Sequence, residues 1–287
     1  MKGIAWRGQR HLWGSAILSG ILLGLTLSGS VMAPTLAQTA APAQPAPEAP
    51  PSGPMSRQEV AERLDIIPVF AIVGKDGTPV LANVDQEGKS IQVANFWLDQ
   101  TQANATIKQI QATNPDIGSQ AQVVPLSLGY AYTVSEEQKA KSNEVVFQVI
   151  PRDSDLQSAL QIAKQSGEAN LERFPGIPLF YGVSEQGLLT IEKDGVEVVP
   201  FFFTQEDLSN TLQRAGAENP AVLQQTKIEV TTLEQVVNSM LEPNAQSDIY
   251  KIAFVPSKSA LQYIQSLSTQ QQPAPPAQPA PPAQPAP

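Results

Sequence analysis

The sequence predicts a mixed α/β body made of two internally repeated sheet-and-helix halves, related by a pseudo-two-fold axis. Three observations point there. Landmarks recur in one order: Pro68 with Pro178, Phe70 with Phe180, Phe96 with Phe202, Asn114-Pro115 with Asn219-Pro220, and Pro151 with Pro256. The offset drifts slowly, from 110 through 106 to a steady 105 residues. Strand-like and helix-like patterns mix within each half, the mark of a layered α/β or α+β body. A period this long exceeds the roughly 20–50 residues of a solenoid unit and matches half of an ordinary domain.

The elements follow in order. "SRQEVAERL" starts a short helix, with Ser56 and Glu59 at capping-box spacing. "VFAIV" and "LFYGV" are apolar runs rich in β-branched and aromatic residues, hence strands. "KDGTP" and "EKDG" are turn signals. A strand ending in Phe96-Trp97, or in Phe201-Phe202-Phe203, comes next. Asp99 and Thr204, 105 apart, are N-cap types placed before helical patterns. Both helices stop before Asn-Pro, because a residue preceding proline is pushed out of the helical region. "QVVPLSL" and "TKIEVTT" are further strands, followed by a loop or helix. "EVVFQVIP" and "YKIAFVP" are last strands, and "DSDLQSALQIAKQ" and "SKSALQYIQSL" closing helices.

Composition sets the boundaries. Residues 1–37 read as a secretory signal: Lys2, Arg7 and Arg10, an apolar stretch from Leu12 to Met32, then Thr35-Leu36-Ala37 as a small-x-small site. Residues 38–55 and 271–287 are Pro/Ala-rich tracts that share "PAQPAP" and cannot bury a core. The first half spans 56–165 and the second 166–270. Cleavage removes three basic residues and no acidic ones, so the net charge moves from −9 to −12. That acidity excludes nucleic acid as a partner. The chain has no cysteine, and a body of about 210 residues is large enough to close a core without disulfides.

Most familiar chemistry is missing. The one histidine, His11, lies in the signal segment. The mature chain therefore cannot build Ser-His-Asp or Cys-His catalysis, or the usual zinc sites. No nucleotide-binding glycine motif and no calcium loop occurs. The acidic pairs Glu136-Glu137, Asp153 with Asp155, and Glu206-Asp207 read as caps and solvated faces. No catalytic, cofactor-binding or metal-binding residue is therefore expected. "RFPGIPLFYGVSEQGLLTIEKDG" resembles the stretch around the cis-proline of thioredoxin-like proteins, which leaves a redox-dead thioredoxin-like binding module as one alternative.

The paired "ERLDIIPVFAIVGKDGTPVL" and "FPGIPLFYGVSEQGLLTIEKDG", with "VANFWLDQTQANATIKQIQATNPDI", "VVPLSLGYAYTV" and "VFQVIPRDSDLQSALQIA", resemble one family. It is the soluble 22-kilodalton Tic component, named from the translocon at the inner envelope of chloroplasts, in a cyanobacterial-type form. The resemblance covers about residues 56–270. It implies a non-enzymatic carrier or chaperone-like factor for proteins crossing or entering the envelope, supporting outer-membrane biogenesis. It implies unfolded or nascent envelope proteins and the outer-membrane β-barrel assembly machinery as partners. It places the protein in the periplasm, or alternatively the thylakoid lumen, with peripheral membrane association left open. It also implies apolar pockets or grooves and no cofactor. A structural adaptor that tethers assemblies through its Pro-rich tails is the other function class.

Four residues are candidates for client contact. Strand neighbours point to opposite faces, so Phe96 and Trp97 cannot share one core layer. One residue of each pair then faces either a groove, with Trp97 and Phe203 as the candidates, or a helix that covers the second face as in a three-layer body. Tyr130 and Tyr132, two apart, are expected on one side of a strand or loop, as an amphipathic rim.

Overall fold

The computed structural model describes residues 53–270 apart from 87, 141–144, 244 and 246. The expected signal segment, nearly all of the 38–55 linker and the 271–287 tail lie outside the described residues. Helix α1 (Arg57–Leu64) opens with the anticipated capping box between Ser56 and Glu59. The first sheet has order β2-β3-β1-β4, with β5 on the other side of β3. Its strands are β1 (Pro68–Val73), β2 (Leu81–Gln86), β3 (Lys89–Trp97), β4 (Gln122–Ser127) and β5 (Val145–Ile150). The second sheet has order β10-β6-β9-β11. Those strands are β6 (Pro178–Ser184), β9 (Val196–Phe202), β10 (Lys227–Thr232) and β11 (Ile252–Val255), with short β7 (Gly187–Leu188) and β8 (Ile191–Lys193) added to β6 and β9.

Both sheets use the same directions. β1 runs antiparallel to β3 and β4, and β3 parallel to β5. β6 runs antiparallel to β9 and β10, and β9 parallel to β11. Parallel neighbours need a crossover. In the first half it contains α2 (Gln100–Thr113), the single turn α3 (Pro115–Gly118) and α4 (Leu128–Ala140). In the second it contains α6 (Gln205–Glu218), α7 (Pro220–Gln225) and α8 (Leu233–Leu241). Asp99 caps α2 and Thr204 caps α6, as their residue types require. Asn114 and Asn219 do more than end a helix: each caps the next one, whose first residue is proline. At the α2–α3 corner a Cβ on Gly118 would lie 2.4 Å from the Gln111 backbone, so this turn admits only glycine.

The ladders correct one matched landmark. Phe70 pairs with Trp97, and Phe180 with Phe202. Trp97 also faces Ile150 across the parallel ladder, and Phe202 faces Val255. Trp97 thus holds in the first set of ladders the place that Phe202 holds in the second, and Phe96 the place of Phe201. The match of Phe96 with Phe202 by residue type is off by one position, which in a strand moves a side chain to the other face.

Three apolar clusters organise the body. The central one receives Val69, Ala71 and Phe96 from the first sheet and Leu179, Phe201 and Phe203 from the second, together with α1, α4 and α8. The outer face of the first sheet presents Phe70, Ile72 and Trp97 to Ala103 and Ile107 of α2 and to Ala260 of α9 (Lys258–Gln270). The outer face of the second presents Phe180 and Phe202 to Leu208 and Leu212 of α6 and to Ala159 and Ile162 of α5 (Asp153–Gln165). β1 and β6 are covered on both faces, which explains their unbroken apolar runs.

The closing helices are exchanged. α5 follows β5 of the first sheet yet covers the second, and α9 follows β11 of the second sheet yet covers the first. The sequence boundary at residues 165 and 166 is thus no spatial boundary. Buried Asp155 ties the exchange down. It pairs with Arg152 at 2.6 Å and accepts from the Gln205 N–H at the start of α6. Asp207 of α6 in turn accepts from the Lys258 N–H at the start of α9.

Candidate functional site

A half-open groove of about 920 Å³ lies beside β5. α4 forms one wall with Leu128, Ala131, Tyr132 and Ser135, a helical spacing that puts all four on one face. α8 forms the other with Leu233, Val237 and Leu241. Two interactions fix where these helices begin. The Leu128 N–H donates to the Ile67 carbonyl, and the Leu233 N–H to the Ile177 carbonyl. α8 also starts with a capping box between Thr232 and Gln235. The floor is Leu64 with Phe96 and Phe147, whose rings stack at 5.8 Å and 18°. Segment 173–177 closes one end. There Gly176 has φ +141, and a Cβ on it would lie 2.8 Å from the Glu234 carboxylate.

The rim is charged. Glu136 pairs with Arg57 at 2.6 Å and with Lys139 at 2.9 Å, and Arg173 also lines the mouth. Burial, and then the Glu136 charge, pushes the Tyr132 hydroxyl above its ordinary pKa, so it stays protonated and acts as a neutral polar group. A second cleft of about 600 Å³ lies between α1 and α4. Gly129 lets these helices meet, since a Cβ there would sit 2.3 Å from the Ala61 carbonyl oxygen. Tyr132 and Glu136 form the ridge shared by both concavities.

The candidate contact residues fall unevenly. Tyr130 is 53% exposed and lines the smaller cleft, and Tyr132 lines both. They lie on helix α4, not on a strand or loop, so a spacing of two turns them to different sides. The expectation of a groove position for Trp97 and Phe203 is corrected. Trp97 is 7% exposed beneath α2 and α9, and Phe203 is 4% exposed against Phe254 in the central cluster. Helices cover the second sheet faces, leaving no open groove for either ring. Of the residues that do line the groove, those of α8 carried one usable signal: "LEQVVNSML" places Leu233, Val236, Val237, Met240 and Leu241 on one helical face.

Asp155 accepts the Gln205 N–H at the start of α6 and Asp207 the Lys258 N–H at the start of α9, while Glu136, within α4, is held between two cations. Among the described residues no group of three His, Cys, Asp or Glu could hold a metal, no helix is long and apolar enough to cross a membrane, and no peptide bond is cis. The cis-proline that defines the thioredoxin-like alternative is thus not found at Pro178, which opens β6.

The profile of the Tic22-like family matches residues 15–266. The chain belongs to the Tic22-like family. Among Tic22 relatives, the Arabidopsis thaliana chloroplastic protein TIC 22-like is 28% identical over 70% of this chain. The aligned stretch spans only 61% of that relative. Arabidopsis thaliana chloroplastic TIC 22 is 27% identical over 76% of this chain and 75% of its own length. Two solved Tic22 structures share the fold. Anabaena Tic22, a protein-transport protein, superposes with TM-score 0.63 at 22% identity, covering 77% of this chain and all of that one. Tic22 from Plasmodium falciparum gives TM-score 0.60 at 23% identity, covering 74% and 99%.

Proposed function

We propose that this Tic22-family chain is a non-enzymatic carrier, or chaperone-like factor, for proteins crossing or entering the envelope. The groove carries this reading. Clients in transit expose apolar segments, and a carrier must offer apolar surface that is large, concave and rimmed by polar groups. Membership in a family whose Anabaena member is a protein-transport protein supports it. So do the structural roles of Asp155 and Asp207 at helix starts and of Glu136 between Arg57 and Lys139. Export after cleavage near Ala37, a periplasmic site, a role in outer-membrane biogenesis, and unfolded envelope proteins and the β-barrel assembly machinery as partners belong to the same reading. The matching strand orders and caps support a pseudo-two-fold relation between the halves.

The test is site-directed photocrosslinking in cells. A crosslinker at Ser135, inside the groove, is expected to capture exported envelope proteins. The same group at exposed Glu192, far from α4 in sequence and outside the groove lining, is not. Equal capture at both positions, or none at Ser135, contradicts the proposal.

A further inference from the structure

β5 is an edge strand. Among the described residues it pairs only with β3. The Ile150 carbonyl accepts from the Leu98 N–H on the β3 side. Main-chain groups alternate in direction along a strand. Those of Val145, Phe147 and Val149 therefore point to the other, unpaired edge. Phe147 and Val149 also line the large groove. Among the described residues these backbone donors and acceptors have no partner, and they border the groove's apolar floor.

The second sheet supplies an internal control. Its corresponding edge strand is β11, where Ile252 stands 105 residues after Phe147. That edge is blocked. Arg63 of α1 donates to the Ile252 carbonyl at 2.6 Å and to the Tyr250 carbonyl at 3.1 Å. The arginine is half-buried, and burial lowers its pKa without neutralising it. An uncovered edge normally invites pairing, and proteins cover it or leave it for a partner. Here one edge is covered by a dedicated arginine, and its counterpart opens onto a cavity.

We infer that a client segment binds this groove by strand addition: an extended polypeptide pairs its backbone with the free edge of β5 and seats alternate apolar side chains against Phe147 and Leu128. The inference rests on reading the groove as a client site and adds the client's chemistry. Strand addition draws affinity from main-chain hydrogen bonds and selectivity from every second side chain. The client is therefore recognised by period-two apolar alternation, not by a helical stripe. The groove lining carries Arg57, Lys139 and Arg173 against Glu136 and Glu234, a slight positive excess that favours neutral or acidic flanks over basic ones. The chain's own Pro/Ala tracts are unsuited, because proline has no N–H to give to a ladder.

The test uses a ten-residue peptide of alternating Val/Phe and Ser/Thr with one flanking Asp, added to the mature full-length protein. Two derivatives carry backbone N-methyl groups, one on all odd and one on all even residues. Each blocks a single edge of the peptide and leaves its side chains in place. The parent is expected to bind and to slow amide exchange at Phe147 and Val149. One derivative should bind at least about tenfold more weakly than the parent, and the other within about threefold of it. Derivatives weakened equally, or binding as well as the parent, would overturn strand addition, as would protection elsewhere than β5. A parent peptide held by side chains alone leaves the groove reading standing. Failure of the parent, and of a helix-forming apolar peptide as well, would sink the groove reading itself. Dimerisation of the protein through β5, reversed by no peptide, would also overturn the inference, by assigning the edge to a second copy.

Discussion

Residues such as Tyr181 show how burial sets chemistry in this protein. Its hydroxyl lies against Phe201 and across the ladder from Glu229, and burial, followed by that carboxylate, pushes its pKa to about 12. The folded pKa is above the unfolded value near 10, so the associated stability is intact below pH 10 and is lost as pH rises towards 12. The expected loss is about 2–3 kcal/mol. Tyr181→Phe should remove this alkaline slope, as read by denaturant midpoints between pH 9 and 12. Asp155 makes a second prediction. Asp155→Ala leaves half-buried Arg152 without its partner and frees the start of α6, and should cost about 1.5–3 kcal/mol in unfolding free energy. Trp97→Ala should cost about 3–5 kcal/mol and leave client affinity unchanged in whatever remains folded. Residue types mark where caps and turns lie, because Asp99, Thr204 and Ser56 act on their own neighbours. They do not show that both rings of Phe96-Trp97 are buried, because the second sheet on one face of β3 and α9 on the other come from distant sequence.

Elements were more legible than their partners. The strands, capped helices and closing helices all lie where periodicity and capping place them, and the strand directions then follow from the crossover lengths. Which sheet each closing helix covers was not legible. An amphipathic stripe states that a face is buried, not against what. "DSDLQSALQIAKQ" carries the same pattern whichever sheet it lies on. The exchange of α5 and α9 has a measurable consequence. Tyr263 of α9 meets Phe70 of β1 edge to face at 5.5 Å. Tyr263→Ala should therefore loosen the first sheet although α9 closes the second half of the sequence. Amide exchange in β1 and β3 should accelerate before that in β6 and β9. The reverse order would mean that α9 supports the half that precedes it in the chain. The sequence leaves α4 and α8 undecided between loop and helix, yet the pair forms the groove walls. Its apolar residues serve both the central cluster and the cavity, and no periodicity separates those duties.

At the scale of the whole molecule, two sheets share one central cluster, exchanged helices seal their outer faces, and one groove reaches from solvent to that cluster. An acidic chain keeps such an apolar opening soluble and discourages adhesion to anionic surfaces. The family was legible from the order of its blocks, whereas the groove was not, because it is assembled from α4, β5, α8 and segment 173–177. The account stands on that groove being the client site. Leu241 is half-buried on its α8 wall, so Leu241→Glu puts a charge into the groove at little cost to the core. The decisive measurement is the equilibrium affinity of the mature protein for an unfolded exported protein, wild type against Leu241→Glu, with the unfolding midpoint of each. The account predicts at least about a tenfold loss of affinity, which is about 1.4 kcal/mol, at an essentially unchanged midpoint. Equal affinity for the two proteins would contradict it.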